Sequence, residues 1–262
     1  WNATTRRTRY GVRTFYQSII RTRECAISNT FSKRHQQIGT IGGKMKIQNN
    51  IIKNIFNNVY FINGTAYAGK STMVKLLAEK YDGICCGENY HSDLMELIDV
   101  ENQPNLSYFK TMTSWQEFIS RTPEEYDNWI TGCSYEAADL EIVRLLQLAD
   151  QGKKIFVDTN IPLEKLTEIS DYNHIAIMLS PQSMSIERFF DREDEEKKFL
   201  LEKIDEADDP EKALKNFKEC LASINSPDKY KAFEESGFFT MVRTEERRIE
   251  DAIEMLEKHF LL

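Results

Sequence analysis

No stretch of this chain approaches the ~20 consecutive apolar residues that a membrane-spanning helix needs, so no such helix and no membrane partner are expected. Cysteine is scarce: Cys25, Cys85, Cys86, Cys133 and Cys220 form no C-x-x-C pair and are odd in number. That pattern excludes a disulfide framework and a cysteine zinc site, and it reads as reduced thiols in a cytoplasmic protein. The four histidines are scattered. Internal repeats and low-complexity tracts are missing, so solenoids and compositional linkers are set aside. Glycine is also thin, at 11 of 262 residues. Two glycines five positions apart in front of Lys-Ser therefore stand out.

Positive charge is lacking over most of the chain. Residues 1–44 carry nine Lys/Arg and one acid, Glu24, whereas 45–262 carry 25 basic and 41 acidic residues. An acidic body argues against broad nucleic-acid binding by that part of the chain, and is compatible with a locally basic site for anionic nucleotides. The basic segment 1–44 has neither helical nor strand periodicity and is expected to be disordered and outside the fold. A transit peptide or a basic arm fits its composition. A third reading takes Met45 as the start: Ile41-Gly42-Gly43-Lys44-Met45 can be encoded by ATA-GGA-GGT-AAA-ATG, which contains a bacterial ribosome-binding sequence. Upstream read-through is the expectation adopted, with 45–262 as one domain.

Gly64-Thr65-Ala66-Tyr67-Ala68-Gly69-Lys70-Ser71 matches G-x-x-x-x-G-K-[ST], the phosphate-binding P-loop. Its flanks fit the motif. Val59-Tyr60-Phe61-Ile62 has strand character, and Met73, Val74, Leu76, Leu77 and Tyr81 behind it recur at helical spacing. Glycines allow the loop to curl so that backbone N–H groups face phosphate oxygens, and the following helix adds its positive end. Residues 64–72, ending in Thr72, are thus expected to hold a nucleoside triphosphate. Lys70 is assigned to the β/γ-phosphates and Ser71 to Mg²⁺.

Five short apolar runs, at 59–62, 83–87, 154–158, 174–179 and 238–243, read as strands buried on both faces of a parallel sheet. Helical stretches at 71–80, 135–151, 185–207, 209–223 and 245–260 alternate with them, with Gly152 ending the second. This order predicts an α/β three-layer sandwich with right-handed crossovers. Helical insertions are expected at 89–153 and 181–236. Trp115, Phe118, Tyr126, Trp129 and Tyr135 lie in the first, either packing its helices together or lining an acceptor pocket.

Chemistry-bearing residues follow the strand ends. Asp158 closes the third run, where a carboxylate faces the ligand crevice and can hold Mg²⁺; capping the next helix is the alternative. Glu88 follows the second run, and Asp93 comes about one turn later. Either carboxylate can accept the proton of an acceptor hydroxyl; Glu88 is the first choice, and Asp93 otherwise caps a helix at 94–98. His91 reads as a surface or capping histidine. Arg188 and Arg192, four apart, share a helix face and can close over a transferring phosphate, or else lace a solvated helix. Arg243 ends the last run in a loop placed to contact a base.

These residues together resemble the adenylate-kinase-like branch of P-loop kinases, which includes shikimate kinase, nucleotide kinases and chloramphenicol phosphotransferase. Residues 63–72 look closest to the chloramphenicol phosphotransferase type. The resemblance implies a five-stranded parallel sheet in the order 2-3-1-4-5, lid arginines at Arg188 and Arg192, and an acceptor-side carboxylate at Glu88, where the family often has Asp. It further implies ATP and Mg²⁺ as cofactors and transfer of the γ-phosphate to a small-molecule hydroxyl or phosphate. Two other readings are kept: a regulatory NTP-binding module, which would lack an acceptor, and a toxin-like kinase with a larger acceptor. A closed aromatic cavity over Glu88 would favour a small acceptor, and an open groove a macromolecule.

Overall fold

A computed structural model describes residues 47–181, 184, 189, 195–244 and 246–262. The segment 1–44, Met45, Arg188 and Arg192 lie outside the described residues. Strands β1 (Val59–Gly64), β2 (Ile84–Cys86), β3 (Ile155–Asp158), β4 (Ile175–Leu179) and β5 (Phe239–Val242) form one sheet in the order β2-β3-β1-β4-β5. All pairings are parallel, with Ile62 opposite Asp158 on one side and Ala176 on the other. The fold class and strand order anticipated from the sequence are those of the structure.

Alternation along the strands builds the three layers. Phe61, Val157, Ile175 and Ile177 face α1 (Asn49–Ile55), α5 (Pro123–Ala149) and α6 (Leu163–Ile169), meeting Phe56, Ala138, Leu145 and Leu166. Tyr60, Ile62, Phe156 and Met178 face α2 (Lys70–Lys80) and α10 (Ile249–Phe260), meeting Val74, Leu77, Leu256 and Phe260. Every residue of β3 and β4 is buried, as continuous apolar runs covered on both faces require. No helix among the described residues is long and apolar enough to cross a membrane.

The insertion between β2 and β3 has its own core. Phe109, Phe118, Tyr126 and Trp129 interlock with Phe217 of α8 (Pro210–Ile224) around α3 (Tyr108–Thr111) and α4 (Trp115–Ile119). Local sequence sets where its helices begin. Thr122 caps α5 in a full capping box with Glu125, with Pro123 at the first position. Asp209-Pro210 starts α8, and Ser226-Pro227 starts α9 (Pro227–Glu234), each with a side-chain cap and a proline but no reciprocal box. Several sequence expectations are corrected here. The helix expected at 135–151 begins twelve residues earlier, because the Thr122 box precedes the apolar stripe. Residues 92–97 form a 3₁₀ turn (Ser92–Leu97) rather than an α-helix over 94–98. Of the stretch 185–207, the described helix is α7 (Glu195–Asp205). The last helix begins at Ile249, beyond the expected 245.

The tightest point of the sheet is the exit of β1. Gly64 has φ 126°, and a Cβ there would sit 1.9 Å from the carbonyl oxygen of Met178 in β4. Gly64→Ala is therefore expected to cost about 3 kcal/mol or more in urea denaturation, from overpacking plus backbone strain. Gly87→Ala, which meets nothing within 4 Å, should stay within about 1 kcal/mol of wild type. Equal midpoints for the two variants would contradict the close approach.

Candidate functional site

The loop after β1 is held from three strands. Thr65 N–H donates to Met178 O at 3.0 Å, continuing the β1–β4 ladder. Ser180, just past β4, donates its N–H to Thr65 Oγ1 at 2.7 Å and its hydroxyl to Ala66 O at 2.7 Å. Asn63 is buried; its Oδ1 accepts from Gly64 N–H at 2.5 Å, and its Nδ2 donates to Ile161 O beyond β3 at 2.7 Å. From β5, Arg243 donates to Tyr67 O at 2.7 Å. Tyr67, at the loop tip, has φ 64°, a left-handed conformation that non-glycine residues adopt only where the surroundings impose it.

Gly69, with φ 94°, turns the chain into α2 as its N-cap. The first residues of that helix, Lys70, Ser71 and Thr72, have no intrahelical acceptor for their N–H groups, and the helix dipole places partial positive charge there. Lys70 folds back over the loop, donating to Thr65 O at 3.1 Å, and its Nζ stands 3.7 Å from Asp158 Oδ1. Ser71 Oγ donates to Asp158 Oδ2 at 2.5 Å. The Asp158 side chain is 4% exposed. Asp158 is thus turned into the loop and is not a helix cap; α6 starts only at Leu163, after Pro162. Among the described residues, no group of three or more His, Cys, Asp or Glu could hold a metal ion by itself.

Gly64, Ala66, Tyr67, Gly69, Lys70, Ser71 and Thr72 wall a cavity of about 620 Å³, together with Glu88 and Asp158. Aromatic side chains from three other segments complete it: Trp115 of α4, Tyr126 of α5, Phe189, and Phe199 of α7. Lys197 of α7 lies over the Phe189 ring at 4.5 Å and meets Tyr67 OH at 3.2 Å. Phe118 and Trp129 pack the insertion, while Trp115 and Tyr126 also line the cavity. On the other side of the loop, Thr72 and Arg243 join Met73, Met178, Met241, Thr244 and Arg247 around a second cavity of about 500 Å³.

Two expectations from the β2 exit need correction. Asp93 is not among the residues lining the cavity; it turns away to pair with Arg144 of α5 at 3.3 Å. His91 holds the N-cap position of the 3₁₀ turn without a side-chain cap bond, but it is buried rather than at the surface, and its Nδ1 has no hydrogen-bond partner. Burial pushes its pKa down to about 4, so the ring is neutral at pH 7.

Sequence reading missed Glu141. This α5 residue is 3% exposed, and its Oε2 accepts from Thr159 Oγ1 at 2.6 Å and from Tyr90 OH at 3.1 Å. Thr159 Oγ1 in turn accepts from Ile161 N–H at 3.0 Å. The acid therefore links the β2 exit, which carries Glu88, to the β3 exit, which carries Asp158. A signal was available: Glu141 falls between Ala138 and Leu145 on the apolar stripe of α5, three and four residues from each, where an acid is out of place.

Comparison with protein-family models, with curated proteins and with solved structures found no match. The site accordingly stands on its own geometry.

Burial raises the Glu141 carboxyl from its ordinary 4.5 to about 7; the Thr159 and Tyr90 hydrogen bonds work against that rise, and the Asp158 charge adds to it. Between these values the unfolded chain is ionised while the folded one keeps the proton, so stability falls as pH rises from about 4.5 to 7. Glu141→Gln removes this proton linkage. Between pH 5 and 8, wild type should lose roughly 2–3 kcal/mol relative to the variant in urea denaturation. Parallel pH profiles would show that Glu141 does not hold its proton in the folded state.

Proposed function

We propose that the protein is an ATP-dependent phosphotransferase that moves the γ-phosphate to a small-molecule hydroxyl or phosphate. The observation that carries this reading is the meeting of four parts at one cavity: the glycine loop, Lys70, the Ser71–Asp158 pair and Glu88. The nucleobase is assigned to the neighbouring cavity between Met178, Met241 and Arg247, which Thr72 and Arg243 join to the loop.

The hydroxyl and carboxylate of Ser71 and Asp158 are hard oxygen donors 2.5 Å apart beside Lys70. They suit Mg²⁺, which is commonly held by one or two carboxylates and completed by substrate phosphates, and their small number fits that mode. When bound, the ion neutralises charge on the phosphate oxygens. Loop amides and Lys70 position the β- and γ-phosphates and stabilise the charge of transfer. Glu88 receives the acceptor proton as the acceptor oxygen bonds to the γ-phosphorus. The bond from that phosphorus to the β–γ bridging oxygen breaks, and ADP leaves. Aromatic closure by Trp115, Tyr126, Phe189 and Phe199 supports a small acceptor over a macromolecular one and gives the site an acceptor compartment that a purely regulatory module would not need.

Lys70→Ala should fold normally and lower ATP-dependent turnover on the order of 10²–10³-fold, as loss of one charge-stabilising donor does. Glu88→Gln should retain wild-type ATP affinity while transfer to a hydroxyl acceptor falls by about 10²-fold or more. Coupled ADP-release assays over a panel of nucleosides, nucleotides, sugars and antibiotics, with calorimetric ATP binding, provide the check. Unchanged ATP consumption by Lys70→Ala would remove the loop from the mechanism.

A further inference from the structure

The cavity holding Glu88 has a neighbour across the phosphate loop. A third cavity of about 620 Å³ lies against the outer face of Asn63–Tyr67, and its walls include Gly64, Ala66, Tyr67, Ile130, Asn160 and Ile224, all of which also wall the cavity holding Glu88. The two spaces adjoin, with Tyr67 and Ile130 among the walls they share. Both have apolar walls, and the first carries more charge. The first holds Lys70, Glu88, Asp158 and Lys197. The second is walled by Ile161, Leu163, Leu221 and Phe233, contributed by the turn after β3 and by α8 and α9.

Several polar side chains around the second compartment are engaged with protein. Lys229 pairs with Asp127, and Tyr135 OH donates to Glu164. Ser134 Oγ donates to Ile130 O at 3.1 Å, and Asn225 Nδ2 donates to Leu221 O at 2.8 Å. What this wall offers a ligand is apolar surface. The triphosphate must itself occupy part of the first compartment, along the loop amides and Lys70, so the space left around Glu88 suits the reacting end of an acceptor better than a whole bulky one.

We infer that the acceptor is amphiphilic: its hydroxyl-bearing end reaches Glu88 past Tyr67 and Ile130, while an apolar body fills the compartment against Ile161, Leu221 and Phe233. This inference rests on the phosphotransferase reading and leaves its chemistry unchanged, with ATP supplying the phosphoryl group and Glu88 receiving the hydroxyl proton. It adds that binding energy from an unreactive apolar part holds the hydroxyl in place. The walls shared by the two compartments favour this occupant over a separate ligand.

Primary alcohols of increasing length serve as probes. The full chain is first titrated with Mg²⁺-ATP by calorimetry, and the ATP-bound protein is then titrated with 1-propanol, 1-hexanol and 1-decanol. Affinity should rise with length, by up to about fourfold per methylene that enters the compartment. Ala232→Trp and Thr131→Trp place a large side chain at exposed lining positions on two different helices, α9 and α5, where folding is not at stake. Each should weaken 1-decanol binding at least tenfold and leave 1-propanol and ATP binding unchanged. ATP binding with a flat length series, or a length dependence that both variants preserve, overturns the amphiphilic acceptor and spares the phosphotransferase reading. Failure of Mg²⁺-ATP to bind overturns that reading and this inference with it. A concentration-dependent dimer that either tryptophan variant dissociates, with a flat series, assigns the compartment to a second copy instead and overturns the inference.

Discussion

The close approach of Gly64 to the Met178 carbonyl is the constraint on which the rest of the site depends. With β1 and β4 in contact there, Thr65 can continue their ladder and Ser180 can reach back to Thr65 and Ala66. The same register sets Ile62 opposite Asp158, so that carboxylate emerges beside Lys70 and Ser71. A side chain at position 64 would push the two strands apart at the point where three loops converge. The geometry of the glycine loop is therefore a property of the sheet as much as of the loop.

Around that point the molecule divides its work between two cores. The sheet and its flanking helices make a rigid platform, with β1, β3 and β4 buried on both faces. The insertion packs a separate aromatic core and lends Trp115 and Tyr126 to the cleft. Glu141 joins the two. It reaches from the long helix α5 to Thr159 and Tyr90, and burial raises its pKa to about 7. Below that pH the neutral acid satisfies two hydroxyl donors without adding full negative charge behind Asp158.

Much of the fold was legible because its signals are local. Strands buried on both faces leave continuous apolar runs, and all five were visible at nearly their true positions. The glycine loop was legible because positive φ at Gly64 and Gly69 restricts residue types at fixed spacing. Glu88 and Asp158 were placed correctly at strand ends, since parallel sheets present those ends to one crevice. Tertiary contact decided what was not legible. Asp93 and Glu88 look alike in sequence, but only the partner Arg144 reveals that Asp93 turns away. His91 has no sequence mark of burial. Arg243 was expected to meet a base, whereas its bond to Tyr67 O also makes it a strap on the loop. The adjacency of the two cavities depends on how α5, α8 and α9 assemble around the loop, and no local pattern encodes it.

The central claim is that the backbone of residues 65–72 grips a triphosphate. Hydrogen–deuterium exchange of the full chain, with and without saturating Mg²⁺-ATP, tests it most directly. The account predicts slowed exchange at the amides of 65–72, with little change in the buried strands, which are already protected. Unaltered exchange across 65–72 at saturating nucleotide would contradict it.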